Sequence, residues 1–288
     1  MRARRPTLNA IPALLLTFVL IGCGTTTPVA NEYKPSIAQE GKDVIWIPTP
    51  TDLAERMLKV ANVTQNDLVY DLGAGDGKIA ILAAKEFKAT AIGIEFNPDM
   101  AEYARKNVQR AGVSNKVSII TGDIFKEDFS KATVVTLYLL PALNIRLRPT
   151  ILAMKPGTRV VSNTFTMGNW TADQTVQSDT GHMGYLWIVP ARVEGSWIIS
   201  GLPGVSNSHS MRLSILQQYQ EITGTLQVPG KPNSISIKGR LNGEQISFEY
   251  RDQAGVLRTF VGIVENSMIK GSLKSDPSII ISATKPLK

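Results

Sequence analysis

Val69-Tyr70-Asp71-Leu72-Gly73-Ala74-Gly75-Asp76-Gly77-Lys78 is the stretch on which the fold turns. An apolar run ends in an acid, and three alternating glycines lead directly into a helical pattern. Glycine permits the tight turn and lets a ligand approach the backbone with no Cβ in the way. A helix opening behind such a loop presents unpaired N–H groups to that ligand. A dinucleotide-binding fingerprint would place its third glycine where Lys78 stands. The spacing behind Asp71 therefore points away from a pyrophosphate.

On either side of this loop, short apolar strands alternate with longer amphipathic segments from Pro48 to Pro190. Strands are expected at Asp67–Leu72, Ala89–Ile94, Lys116–Ile120, Ala132–Leu139 and Thr158–Ser162. Helices are expected at Gly77–Phe87, Pro98–Ala111 and Leu143–Met154, the second capped by Asn97. This alternation predicts an α/β fold, a Rossmann-like parallel sheet with helices on both faces. After Pro190 the apolar period shortens to two. Roughly eight short strands follow, with turn residues at Pro229-Gly230, Asn242-Gly243 and Ala254-Gly255. Asn242-Gly243 is the strongest hairpin signal. This half reads as a smaller antiparallel all-β domain, a barrel or a sandwich. The expected division is 1–22, 23–43, 44–190 and 191–288.

Two more acids complete the pattern. Glu95 ends the second strand, twenty-two positions beyond Gly73, where a carboxylate can accept both ribose hydroxyls. Asp123, in Thr121-Gly122-Asp123-Ile124, follows the third strand, where an acid can take an adenine amino group. Together these residues resemble class I S-adenosyl-L-methionine-dependent methyltransferases over roughly Pro48 to Trp170. The resemblance implies that Asp71 contacts the methionine end of the cofactor, and that Gly73, Ala74 and Gly75 wrap it. It also implies that Glu95 takes the ribose and Asp123 with Ile124 the adenine. Val44-Ile45-Trp46-Ile47-Pro48-Thr49-Pro50, Gly93-Ile94-Glu95-Phe96-Asn97, Tyr138-Leu139-Leu140-Pro141 and Gly157–Ser162 narrow it further. They are similar to the lysine methyltransferases of the ATP-synthase c subunit and the adenine nucleotide carrier, with their prokaryotic relatives. That group acts on membrane-embedded proteins, and its animal members lack a counterpart of the β-rich half.

The acceptor side is read from the same segments. Tyr138 ends the fourth strand, where its ring or hydroxyl can position an amine, and a packed core tyrosine is the plain alternative. Pro141, Asn163 and Trp170 are further substrate-side candidates, against a helix-start proline and a packing tryptophan at a domain junction. Thr49, between two prolines, is expected to close over the cofactor or to serve as a turn. Neither His182 nor His209 falls in the motifs. A protein or small-molecule methyl acceptor is expected. The competing readings are a methyltransferase acting on a small molecule or lipid, and a non-catalytic ligand-binding lipoprotein.

Composition bounds the remainder. The 288 residues are 43% hydrophobic and 19% charged, enough apolar material for two packed domains. The single cysteine excludes an internal disulfide and a cysteine-based metal cluster, and no metal site is expected. Net charge is +7, with three of the basic residues at the extreme N-terminus and no dense basic cluster, so no nucleic-acid partner is expected. Arg2, Arg4 and Arg5 precede an apolar run from Ala10 to Gly22, which as a helix rises only ~20 Å against a ~30 Å hydrocarbon core. It reads as an export signal. Leu20-Ile21-Gly22-Cys23 resembles a bacterial lipobox, implying lipidation of Cys23, attachment to a membrane surface and a body outside the cytoplasm. That placement conflicts with a cofactor made inside, which leaves the cytoplasmic face as the other possibility.

Overall fold

The computed structural model describes residues 33–39, 45–205 and 210–286. The apolar N-terminal run, Cys23 and His209 lie outside them. No helix among the described residues is long and apolar enough to cross a membrane.

The first architecture is built from α1 (Thr51–Val60), β1 (Leu68–Leu72), α2 (Lys78–Glu86), β2 (Thr90–Glu95), α3 (Pro98–Arg110), β3 (Val117–Thr121), β4 (Val134–Leu137), α4 (Pro141–Leu152), β5 (Arg159–Asn163), β6 (Gln174–Gln177) and β7 (Met183–Ile188). The sheet order is β3-β2-β1-β4-β5-β7-β6. Successive side chains of a strand point to opposite faces, and here both faces are covered. Val69, Val134 and Val161 pack with α1, α2 and α3. Their neighbours Tyr70, Val135 and Val160 pack with Leu147 and Ile151 of α4. Asn97 caps α3 by accepting from the backbone N–H groups of Asp99 and Met100.

The sheet is mixed, not wholly parallel. β7 runs antiparallel to β5 and β6 antiparallel to β7. The turn between β6 and β7 is too short for a crossover, so the pair must form a hairpin. Chain order reverses between β1 and β4, and in such sheets the crevice opens beyond the carboxyl ends of the strands at that switch.

The remaining strands are β8 (Gly195–Ser200), β9 (Met211–Gln218), β10 (Glu221–Gln227), β11 (Ile235–Asn242), β12 (Gln245–Arg251), β13 (Leu257–Glu265), β14 (Met268–Leu273) and β15 (Asp276–Thr284). They close into an antiparallel barrel, β15 pairing with β8. The structure thus selects the barrel over the sandwich. Trp197, Phe248, Tyr250 and Phe260 are fully buried among its aliphatic residues. Phe248 and Phe260 have ring centroids 4.7 Å apart. The Asn242-Gly243 signal is displaced by one residue. Asn242 pairs with Gln245, so the two-residue turn is Gly243-Glu244, with Gly243 at φ 59°. Gly243 also accepts from the Ala191 N–H and lies against Gly157. Tertiary contact fixes the register that local preference placed one step earlier.

Candidate active site

A cavity of about 780 Å³ opens at the carboxyl ends of β1, β2 and β4. Its floor is the glycine loop. The N–H groups of Gly73 and Ala74 both donate to the Ile94 carbonyl, folding the loop back over β2. Gly73 and Gly75 sit at φ 82° and 54°, the left-handed region that glycine enters without steric cost. A Cβ on Gly75 would stand 2.5 Å from the Trp46 indole nitrogen.

Two carboxylates flank this floor. Asp71 is buried and accepts from the Thr136 hydroxyl at 2.6 Å. Burial raises its pKa to about 7, opposed by the Thr136 bond and assisted by the nearby charges of Asp76 and Glu95. Glu95 accepts from the N–H groups of Gly75 at 2.8 Å and Asn97 at 2.9 Å, tying the loop to the start of α3. Burial raises its pKa too, against those backbone hydrogen bonds. Asp123 opens the turn after β3 and accepts from the Phe125 N–H at 3.0 Å. It lines the cavity beside Ile124 and Phe125.

A strap, residues 45–50, covers one side. Trp46 exchanges backbone hydrogen bonds with Ala38 and Gln39. The Thr49 carbonyl accepts from Lys78 Nζ at 2.9 Å, and its hydroxyl accepts from Asn163 Nδ2 at 3.2 Å. Opposite, Tyr138 stacks on Phe165, with centroids 6.3 Å apart. Around the mouth, Ile45, Ile47, Phe96 and Leu140 line the cavity while remaining 42% to 51% exposed.

Nine expected residues therefore share one cavity: Thr49, Asp71, Gly73, Ala74, Gly75, Glu95, Asp123, Ile124 and Tyr138. Three are elsewhere. Pro141 is the first residue of α4. Asn163 is fully buried and reaches the cavity only through Thr49. Trp170 is buried where the barrel meets the sheet, its indole N–H donating to Gln220 at 2.8 Å. Sequence reasoning did not single out Trp46, Lys78, Phe125 or Phe165. Trp46 lay inside a quoted motif and Lys78 at the position where a glycine was missing, but nothing marked Phe165.

The donor set suits an adenosyl sulfonium. The left-handed cradle gives room against the backbone, Glu95 supplies an acceptor at its rim, and Asp71 is a buried acid whose hydrogen-bond partner, Thr136, is neutral. Comparison with known proteins agrees. Residues 71–174 match the family described as the ANTKMT methyltransferase domain. A protein-lysine N-methyltransferase of Saccharolobus islandicus is 42% identical over 151 residues, covering 51% of this chain and 94% of that protein. The mouse lysine N-methyltransferase of the ATP-synthase c subunit is 31% identical over 131 residues, covering 45% of this chain and 52% of that protein, so the match spans about half its length. An RNA methyltransferase structure from Salinibacter ruber, in complex with S-adenosyl-L-homocysteine, is 47% identical with a TM-score of 0.50, covering 51% of this chain and 96% of that one. The family match ends at residue 174, before the barrel begins at Gly195. On cavity, cradle and likeness together, the chain belongs to this family of class I S-adenosyl-L-methionine-dependent methyltransferases.

Proposed function

We propose that the enzyme N-methylates a lysine in an apolar segment of a membrane-associated protein. The observation that carries this reading is the mouth of the cavity, where four exposed apolar side chains ring an entrance walled by Tyr138 and Phe165. A wet, polar acceptor would leave that collar unmatched. The lysine-modifying relatives support the same acceptor chemistry.

When bound, S-adenosyl-L-methionine supplies an electrophilic methyl group. Asp71 and the Gly73–Gly75 loop would hold its amino-acid end, Glu95 the ribose, and Asp123 with Ile124 the adenine. The chain's remaining task is to deliver an uncharged amine in line and exclude water. A free lysine has a pKa near ~10.4, so about one amine in ~10³ is neutral at pH 7. Burial in the apolar mouth beside a positive centre lowers that value. No dedicated base is then required. Tyr138 orients the amine by its hydroxyl and ring, and Phe165 completes the wall. The strap, pinned through Thr49, closes the cofactor side.

The test uses labelled S-adenosyl-L-methionine with a leucine-flanked lysine peptide, a detergent-solubilised membrane fraction and total RNA. Label is expected on a lysine ε-nitrogen, and Tyr138→Ala should lower kcat about a hundredfold. The Salinibacter relative, an RNA methyltransferase, favours a second reading, an RNA acceptor. Label in RNA alone would establish that reading and end the lysine one.

The lipobox-like Leu20-Ile21-Gly22-Cys23 fits this substrate by holding the enzyme at a membrane. Cells fed labelled palmitate should acylate the full chain but not Cys23→Ser. Equal labelling of both would remove the anchor.

A further inference from the structure

The barrel lies outside the family match, yet one of its turns is bolted to the segment that carries Phe165. That segment follows β5. Thr164 sits at φ 62°, an uncommon and strained conformation for a β-branched residue, and turns the chain so that Phe165 faces Tyr138. Strain of this kind persists only where surrounding contacts hold it.

Three sides supply those contacts. The Thr164 N–H donates to the Met183 carbonyl of β7 at 2.7 Å and its hydroxyl to Asn163 Oδ1 at 2.8 Å, which holds the turn itself; α4 and the barrel hold the residues that follow it. From α4, Asn144 Nδ2 donates to the carbonyls of Phe165 at 3.2 Å and Thr166 at 3.3 Å. One turn further along the same helix face, Arg148 donates to the Met167 carbonyl at 2.8 Å and to Asn169 Oδ1 at 2.7 Å. From the barrel, the β9–β10 turn presents Tyr219 and Gln220. The Tyr219 hydroxyl donates to the same Asn169 Oδ1 at 2.7 Å, its ring stacks on Trp170 at 5.7 Å, and the Arg148 guanidinium lies over it at 5.4 Å. Gln220 accepts from the Trp170 indole and donates to the Thr171 carbonyl, both at 2.8 Å. The turn is itself fixed by Gln217, which donates to the Tyr219 carbonyl at 2.7 Å.

We infer that the barrel serves the methyl transfer as a brace, with Tyr219 a positioning residue that sets the acceptor wall through Asn169 and Arg148. This rests on the acceptor-side reading of Tyr138 and Phe165. Among the described residues Tyr219 is not part of the cavity lining, and its side chain bonds to Asn169, stacks on Trp170 and lies under Arg148, so its effect is expected on the acceptor side.

Two readouts on Tyr219→Ala in the full-length protein test it. Hydrogen exchange should accelerate at the amides of residues 164–170 while those of β1 and α2 keep their protection. With the leucine-flanked lysine peptide, acceptor KM should rise about tenfold while the dissociation constant for S-adenosyl-L-homocysteine stays unchanged. Tyr219→Phe, which keeps the ring and loses the hydroxyl, should fall between the variant and the parent. Unchanged exchange at 164–170 would overturn the brace. So would faster exchange with an unaltered acceptor KM, or a KM rise matched by weaker S-adenosyl-L-homocysteine binding. If the parent enzyme methylates a lysine in neither the peptide nor the membrane fraction, the acceptor reading fails by itself, and the exchange arm still decides whether Tyr219 holds the segment.

Discussion

Asp71 carries the sharpest consequence at the scale of one residue. Its folded-state pKa of about 7 lies above the ordinary value of 3.8. Between those values the folded protein holds a proton that the unfolded chain has released. Stability of the ligand-free protein therefore falls as pH rises from about 4 to 7 and is highest below that window. The loss is on the order of 4 kcal/mol, and Asp71→Asn should flatten the profile. Chemical denaturation at pH 5 and pH 7.5 measures it, and parallel profiles for parent and variant would refute the assignment. A positively charged ligand pulls the other way, favouring the ionised acid. Its affinity should strengthen up to about pH 7 and then level off.

At the scale of elements, the strap depends on few bonds. Lys78→Met removes the charged donor to the Thr49 carbonyl, a bond worth about 1.5–3 kcal/mol when made by a charged group. Cofactor affinity should drop about ten- to a hundredfold and the melting temperature should fall by several degrees, as calorimetric titration and thermal denaturation would show. Equal affinity would mean that the strap is held by Asn163 and the backbone pairing of Trp46 alone. β1, α2, β2 and α3 were legible because apolar period, glycine loop and cap all pointed one way. β6 was not, because Gln174-Thr175-Val176-Gln177 is short, polar and mostly exposed. Its place in the sheet comes from β7, which pairs with it antiparallel and which the strand expectations also left out. In the site, residues of the glycine loop and strand ends were legible by spacing. Phe165 was not, since its role depends on Thr164 in a left-handed turn, which nothing about Asn163-Thr164-Phe165 announces.

For the whole molecule, the junction decides how the two architectures behave together. Trp170 and Trp187 are buried there, the Trp187 indole donating to the Trp170 carbonyl at 2.8 Å. Arg240 of the barrel pairs with both Asp173 and Glu221. A junction with this much buried aromatic surface should couple the two halves into a single calorimetric transition. Trp170→Ala should cost about 3–5 kcal/mol and split that transition in two. Two transitions in the parent protein would show that the barrel rides on the enzyme without steadying it.

Barrel closure also imposes an order in time. β8 finds its last neighbour only in β15, about eighty residues downstream. The methyl-transfer domain thus leaves the ribosome first and can assemble its cofactor cradle while the barrel is still an open curl. At a synthesis rate of ~5–20 residues per second, several seconds separate the two events. Tyr219 can reach its seat on Trp170 during that interval, but the curl that carries it stays open until β15 arrives. A nascent chain halted before Asp276 would therefore hold cofactor yet present an unsteady acceptor wall and two bare strand edges, so the ability to modify a partner matures last.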